Sequence, residues 1–115
     1  MAASNKIPLA KNAASAGLRV THFGRAAFAY CGNLDNESVT MEASDDSSNG
    51  TDGTWGPCYP GADGSVQESW TNSAYGVRPQ ALILPGGMWI RWRVSNGAGT
   101  PVASVLFDGE NLSKT

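Results

Sequence analysis

Residues 88–95 alternate without a break: Met88, Ile90, Trp92 and Val94 take one parity, Trp89, Arg91, Arg93 and Ser95 the other. Successive side chains of a β-strand point to opposite faces, so a period of two writes a strand with one apolar face. Shorter alternations run through Leu18, Val20 and His22, through Val39 and Met41, and through Val66, Glu68 and Trp70. Residues 26–31 continue or pair with the first of these. Residues 81–84 form a short apolar run and residues 102–107 a last strand. Turn chemistry separates the runs at Pro85-Gly86-Gly87, across residues 96–101 and at Asp108-Gly109. No segment carries helical periodicity beyond one weak turn near residues 9–16. Six or seven short strands joined by Gly-rich turns predict an all-β antiparallel sandwich or jelly roll.

Leu, Ile, Val and Phe make up only about 17% of the 115 residues. So low a value with high net charge would mean disorder. The net charge is −2, and four Trp, three Tyr and three Met compensate. A folded but thinly cored single domain is expected over residues 18–115. Residues 1–17 read as an extended N-terminal arm, since Ile7, Pro8 and Leu9 are its only apolar cluster before Leu18. With so little area to bury, the arm is expected to dock through Ile7 and Leu9 on a neighbouring subunit, its own domain being the alternative. Residues 43–65 are rich in Asp, Ser, Asn and Gly and read as a long polar, projecting loop that carries Trp55 and Tyr59.

Charge is segregated along the chain. Residues 1–30 hold four basic residues and no acid, residues 31–70 eight acids and no base, and the remainder is mildly basic. Separate poles could meet another copy of the chain, or folding could interleave them. The basic residues are scattered singly, unlike the dense stripe of a nucleic-acid binder. No apolar run approaches the roughly 18 residues of a membrane span. The N-terminus lacks the apolar stretch of a secretory signal, so synthesis in a reducing cytoplasm and two free thiols at Cys31 and Cys58 are expected, one disulfide being the alternative.

Chemistry-bearing motifs are few. Asp45, Ser47 and Asn49 place oxygens two residues apart ahead of Gly50, as a calcium loop does, but Gly56 stands where the bidentate Glu belongs. A solvated acidic loop without metal is the expectation. His22 is the sole histidine, no Gly-x-Ser-x-Gly elbow or phosphate loop is present, and no two acids are paired by spacing. No enzyme activity and no cofactor are therefore expected. Trp89, Arg91 and Arg93 lie opposite the apolar parity of their strand, and Trp and Arg are the types enriched at interface hot spots. Trp55, Tyr59, Trp70 and Tyr75 could alternatively form a sugar-stacking platform.

The stretch Tyr75-Gly76-Val77-Arg78-Pro79, through Leu84-Pro85-Gly86-Gly87-Met88-Trp89-Ile90-Arg91-Trp92-Arg93-Val94, to Phe107-Asp108-Gly109 resembles small bacteriophage virion proteins. These include capsid decoration (cement) proteins and distal fibre domains. The resemblance covers about the last third of the chain. It implies a β-sandwich or jelly roll, often a homotrimer, bound to the major capsid protein on the virion surface. The alternative it carries is a receptor- or carbohydrate-binding fibre domain. It brings no catalytic residue.

Overall fold

The computed structural model describes residues 4–21, 24–60, 64–95 and 97–115. His22 and Asp63 lie outside them. Among the described residues ten strands form two antiparallel sheets: β1 (Ser4–Leu9), β2 (Leu18–Val20), β3 (Arg25–Asn33), β4 (Ser38–Ser44), β5 (Gly56–Pro57), β6 (Ser69–Thr71), β7 (Gly76–Ile83), β8 (Trp89–Val94), β9 (Val102–Asp108) and β10 (Leu112–Ser113). One sheet has the order β1-β9-β3-β7. The other has the order β10-β2-β8-β4-β5, and β6 pairs with β4 beside β5. With β5 and β6 counted as one broken strand, β1-β9-β3-β7 faces β2-β8-β4-β5/β6. That order is two interleaved Greek keys, the jelly roll.

The core lies between the sheets. Ile90, Trp92 and Val94 of β8 point inward, as do Phe28 and Tyr30 of β3 and Val105 and Phe107 of β9, and all are buried. An aromatic row crosses the gap. Phe28 meets Trp92 edge-on at 5.0 Å and Tyr30 at 5.2 Å, and Tyr30 stacks on Trp70 at 5.4 Å. Such ring pairs add to the area they bury, which lets few aliphatics suffice.

Residues 4–17 are not a free arm. Ser4–Leu9 is an edge strand in register with β9, Ile7 opposite Val105 and Leu9 opposite Ala103. Ile7 and Leu9 are buried in the chain's own core, not held out for a neighbour. An edge strand buries one face only, so two inward residues are enough. The chain then crosses to the second sheet. Val94 donates its N–H to the Ala13 carbonyl and Ser15 donates to that of Trp92, so residues 13–15 prolong the β2 side of β8.

The described part of residues 43–65 does not project as one loop. The Asp46 carboxylate accepts from the Ser44 hydroxyl and the Thr54 N–H. The Asp52 carboxylate accepts from the Ser47 hydroxyl, from the Ser48 N–H and hydroxyl, and from the Asn49 N–H. The loop folds back over β8, and Cys58 returns to β4 by donating its N–H to the Met41 carbonyl.

Candidate interaction surface

Trp89, Arg91 and Arg93 do face outward from the second sheet, but they are already occupied. Trp89 is 4% exposed. Gly50 packs on its ring, so closely that a Cβ there would come within 2.9 Å of it. Gly17, beside the Trp55 ring, donates to the Gly50 carbonyl. The Arg91 guanidinium lies 4.3 Å over the Trp55 ring and meets Glu42 at 2.7 Å, while Arg93 meets the other Glu42 oxygen at 3.4 Å. The Trp/Arg face is thus an internal clamp that holds the 45–55 loop on β8, with only Arg93 well exposed.

The aromatic candidates do not form one platform. Trp55 belongs to that clamp and Trp70 stacks inside on Tyr30. Tyr75 stands at the rim of the other sheet's outer face, and Tyr59 is exposed on the connection after β5. The calcium candidates do not converge either. The Ser47 hydroxyl donates to Asp52 and accepts from Gly50, and the Asn49 side-chain oxygen accepts from Thr51 and Asp52. Among the described residues no cluster of three or more His, Cys, Asp or Glu is placed to hold a metal ion.

Most of the acidic segment is spent within the fold. Glu37 accepts from the Gly99 N–H, Asp35 from the Thr100 N–H, Glu42 from the two arginines, and Asp46 and Asp52 from the loop. Glu68 is buried between the sheets, where it accepts from the Tyr30 hydroxyl at 2.9 Å and from Gln80 at 2.7 Å. Arg78 stands 4.0 Å away. Burial first, then the Glu68 charge and hydrogen bond, drive the Tyr30 hydroxyl far above its ordinary value, so it stays a donor. Burial and Glu68 also raise the Cys58 thiol. Both cysteines are free.

The loop carboxylates set a pH response. Backbone and hydroxyl donors hold Asp46 and Asp52 below their ordinary value of 3.8. A lowered folded value means that the stabilising effect is full above 3.8 and is lost as the pH falls from there through the folded values. Acidification below 3.8 should therefore progressively loosen the 44–54 loop, a local opening of an exposed segment. The expected signal is a Trp fluorescence change with an unchanged far-ultraviolet β spectrum. Asp52→Asn should produce it at neutral pH; an identical Trp signal in wild type and variant across the range would refute the assignment.

The open surface is elsewhere, on the outer face of the β1-β9-β3-β7 sheet. Register puts Pro8, Ser104, Cys31 and Val77 in one row and Lys6, Leu106, Ala29 and Pro79 in the next; Ala27 and Ala81 pair beyond them, then Arg25 and Ile83. Val102 flanks the other end beside Asn33. Ile83 is 92%, Val102 75% and Val77 54% exposed. Small residues along β3 make a trough between the larger side chains of β9 and β7. It deepens into an open depression of about 370 Å³ lined by Lys6, Cys31, Tyr75, Val102 and Ser104.

Both edges of this sheet are blunted. Leu84 donates to the Gly24 carbonyl. Antiparallel alternation then directs Leu82, Gln80 and Arg78 toward β3, and leaves the backbone of Pro79 and its odd-numbered neighbours facing the free edge. Pro79 has no N–H to offer there, and Pro8 interrupts the opposite edge in the same way. A partner is therefore admitted by the face rather than by strand addition.

Alternation did not reveal this face, because outward Ala, Pro and Cys leave no polar parity to read. The available signal was the odd-numbered series Val77, Pro79, Ala81 and Ile83, which is apolar on a strand whose inward residues include Arg78 and Gln80. No protein-family model matches this chain, and no curated protein matches it.

Proposed function

We propose that this protein is a non-catalytic structural component that works by docking, and that it binds and stabilises the shell of a bacteriophage capsid as a decoration protein. The observation that carries the docking reading is the apolar outer face of the four-stranded sheet. Contiguous exposed apolar area on a small domain marks an interaction site. Jelly rolls serve in viral capsid and lectin domains, an analogy at the level of fold alone. The resemblance of the last third to phage decoration proteins points the analogy toward the capsid, with the major capsid protein as partner and the virion surface as location. A protein that binds the assembled shell better than free subunits adds its binding free energy to shell stability.

Quantitative mass spectrometry of purified virions tests this reading. Copy number comparable to that of the major capsid protein, and a shell that opens at lower temperature once the protein is stripped, are expected. A few copies per particle would place it at a fibre or tail instead, and absence from particles would end the virion reading.

A further inference from the structure

We infer that the occupant of the apolar sheet face is a second copy of this chain, packed face to face about a two-fold axis that runs along the strands between β9 and β3. The inference rests on the docking reading of this face but gives the face a second copy as occupant, so that the pair rather than the single chain is what meets the capsid. Such an axis lays β9 of each copy over β3 of the other. The raised Leu106 of β9 then comes over the small Ala29, Ser104 over Cys31 and the 75% exposed Val102 over Asn33 at the end of the trough, and the reverse holds for the second copy. One surface supplies both ridge and trough, as an isologous contact requires.

Charge follows the same symmetry. Among the described residues the charged side chains on this face are Lys6, Arg25 and Asp108, all at its rim. Asp108 lies across from residue 27 by the β3–β9 register, so the axis sets it over Ala27 of the second copy, two residues along the strand from that copy's Arg25. That is about 7 Å along a strand, within the reach of an arginine side chain. Arg25 has no ion-pair partner among the described residues, and the pairing occurs twice about the axis. The area suffices. Four strands by eight residues span roughly 19 by 27 Å, so a pair buries on the order of 1,000 Å², about the least a specific interface needs. The face thus favours a two-fold pair over the three-fold oligomer implied by the resemblance.

Cys31 is a built-in reporter. Facing sheets about 10 Å apart, offset by one strand spacing, put the two Cys31 Cα atoms about 11 Å apart. That is too far for a disulfide, and the pair covers both thiols, so maleimide labelling of Cys31 should slow as the protein concentration rises, while buried Cys58 stays silent. Light scattering should give twice the 12.0 kDa chain mass. Ala29→Glu, at the centre of the trough, should weaken the dimer roughly 100-fold or more by setting like charges against each other. Arg25→Asp should weaken it too, and adding Asp108→Arg should restore it.

A wild-type protein of single-chain mass at all concentrations, or a dimer that Ala29→Glu leaves intact, overturns the inference. If the wild type is monomeric and Ala29→Glu abolishes binding to capsids, the face docks on the shell and only the second copy falls. If Ala29→Glu changes neither mass nor capsid binding, the docking reading falls as well. Should the variant fail to fold, a wild type whose Cys31 labelling does not slow with protein concentration is sufficient refutation.

Discussion

Gly32→Ala should be among the most damaging single substitutions in this protein, costing about 3–5 kcal/mol and lowering Tm by roughly 10–20 °C. Gly32 sits near the end of β3 with β9 on one side and β7 on the other, opposite Ala103 and Gly76. Its φ is +123°, a region in which L side chains are strained. A Cβ at this position would run into the Val102 carbonyl and lie 2.7 Å from the Ala103 Cα. These are backbone atoms of a paired strand, so no rotamer change relieves the contact. Strain and overpacking each cost about 1–3 kcal/mol, and the site has no free volume to absorb either. Urea unfolding measures the loss. As a control, Gly86→Ala, where a Cβ meets nothing within 4 Å, should change stability by less than about 1 kcal/mol. Equal losses in the two variants would show that the close strand approach does not matter.

Gly32 also shows where sequence reasoning stops. Its neighbours alternate, so the strand is legible, but nothing local says that two backbones close on this residue. The inward face of β8 is legible because both faces differ in chemistry: Ile90, Trp92 and Val94 against Arg91 and Arg93. β1 is not, since Ile7 and Leu9 are its only inward apolar residues and the strand exists by pairing with β9, nearly a hundred residues away. β7 hides behind Pro79, which a central strand would exclude and an edge tolerates. The 45–55 loop reads as solvated acid because the same Asp, Asn and Ser that look like surface charge are the residues that cap turns. Their roles as acceptors at Asp46, Asn49 and Asp52 depend on partners two to eight residues away in a particular backbone path. The candidate interface shifts for a related reason. Trp89 and Arg91 have the residue types of a hot spot, but Trp55 and Gly50 reach them first.

Glu68→Ala should cost about 3–5 kcal/mol, the scale on which one member of a buried charged network is lost. The carboxylate is 6% exposed and holds two donors from neighbouring strands of the first sheet: Tyr30 on β3, through one oxygen, and Gln80 on β7, through the other. Its backbone ties the segment before β6 to the second sheet, donating to Cys58 and accepting from Met41. The side chain therefore joins the two sheets where they open toward β7. Removal leaves the buried Tyr30 hydroxyl unsatisfied, at about 1–3 kcal/mol, and takes the acceptor from the half-buried Gln80 amide, while the half-exposed Arg78 at 4.0 Å still reaches water and loses little. Glu68→Gln keeps the shape and one acceptor, so its loss should be about 1–2 kcal/mol. Tyr30→Phe alone should cost about 1–3 kcal/mol, because it strips one hydrogen bond from a buried charge. In a Glu68→Ala background the same Tyr30→Phe change should be nearly neutral, or even restore some stability, since the hydroxyl it removes has no acceptor left. A double-mutant cycle in urea should thus return a coupling of about 1–3 kcal/mol between residues 30 and 68. If the two losses simply add, to within about 0.5 kcal/mol, the Glu68 carboxylate is not the hydrogen-bonded join between the sheets.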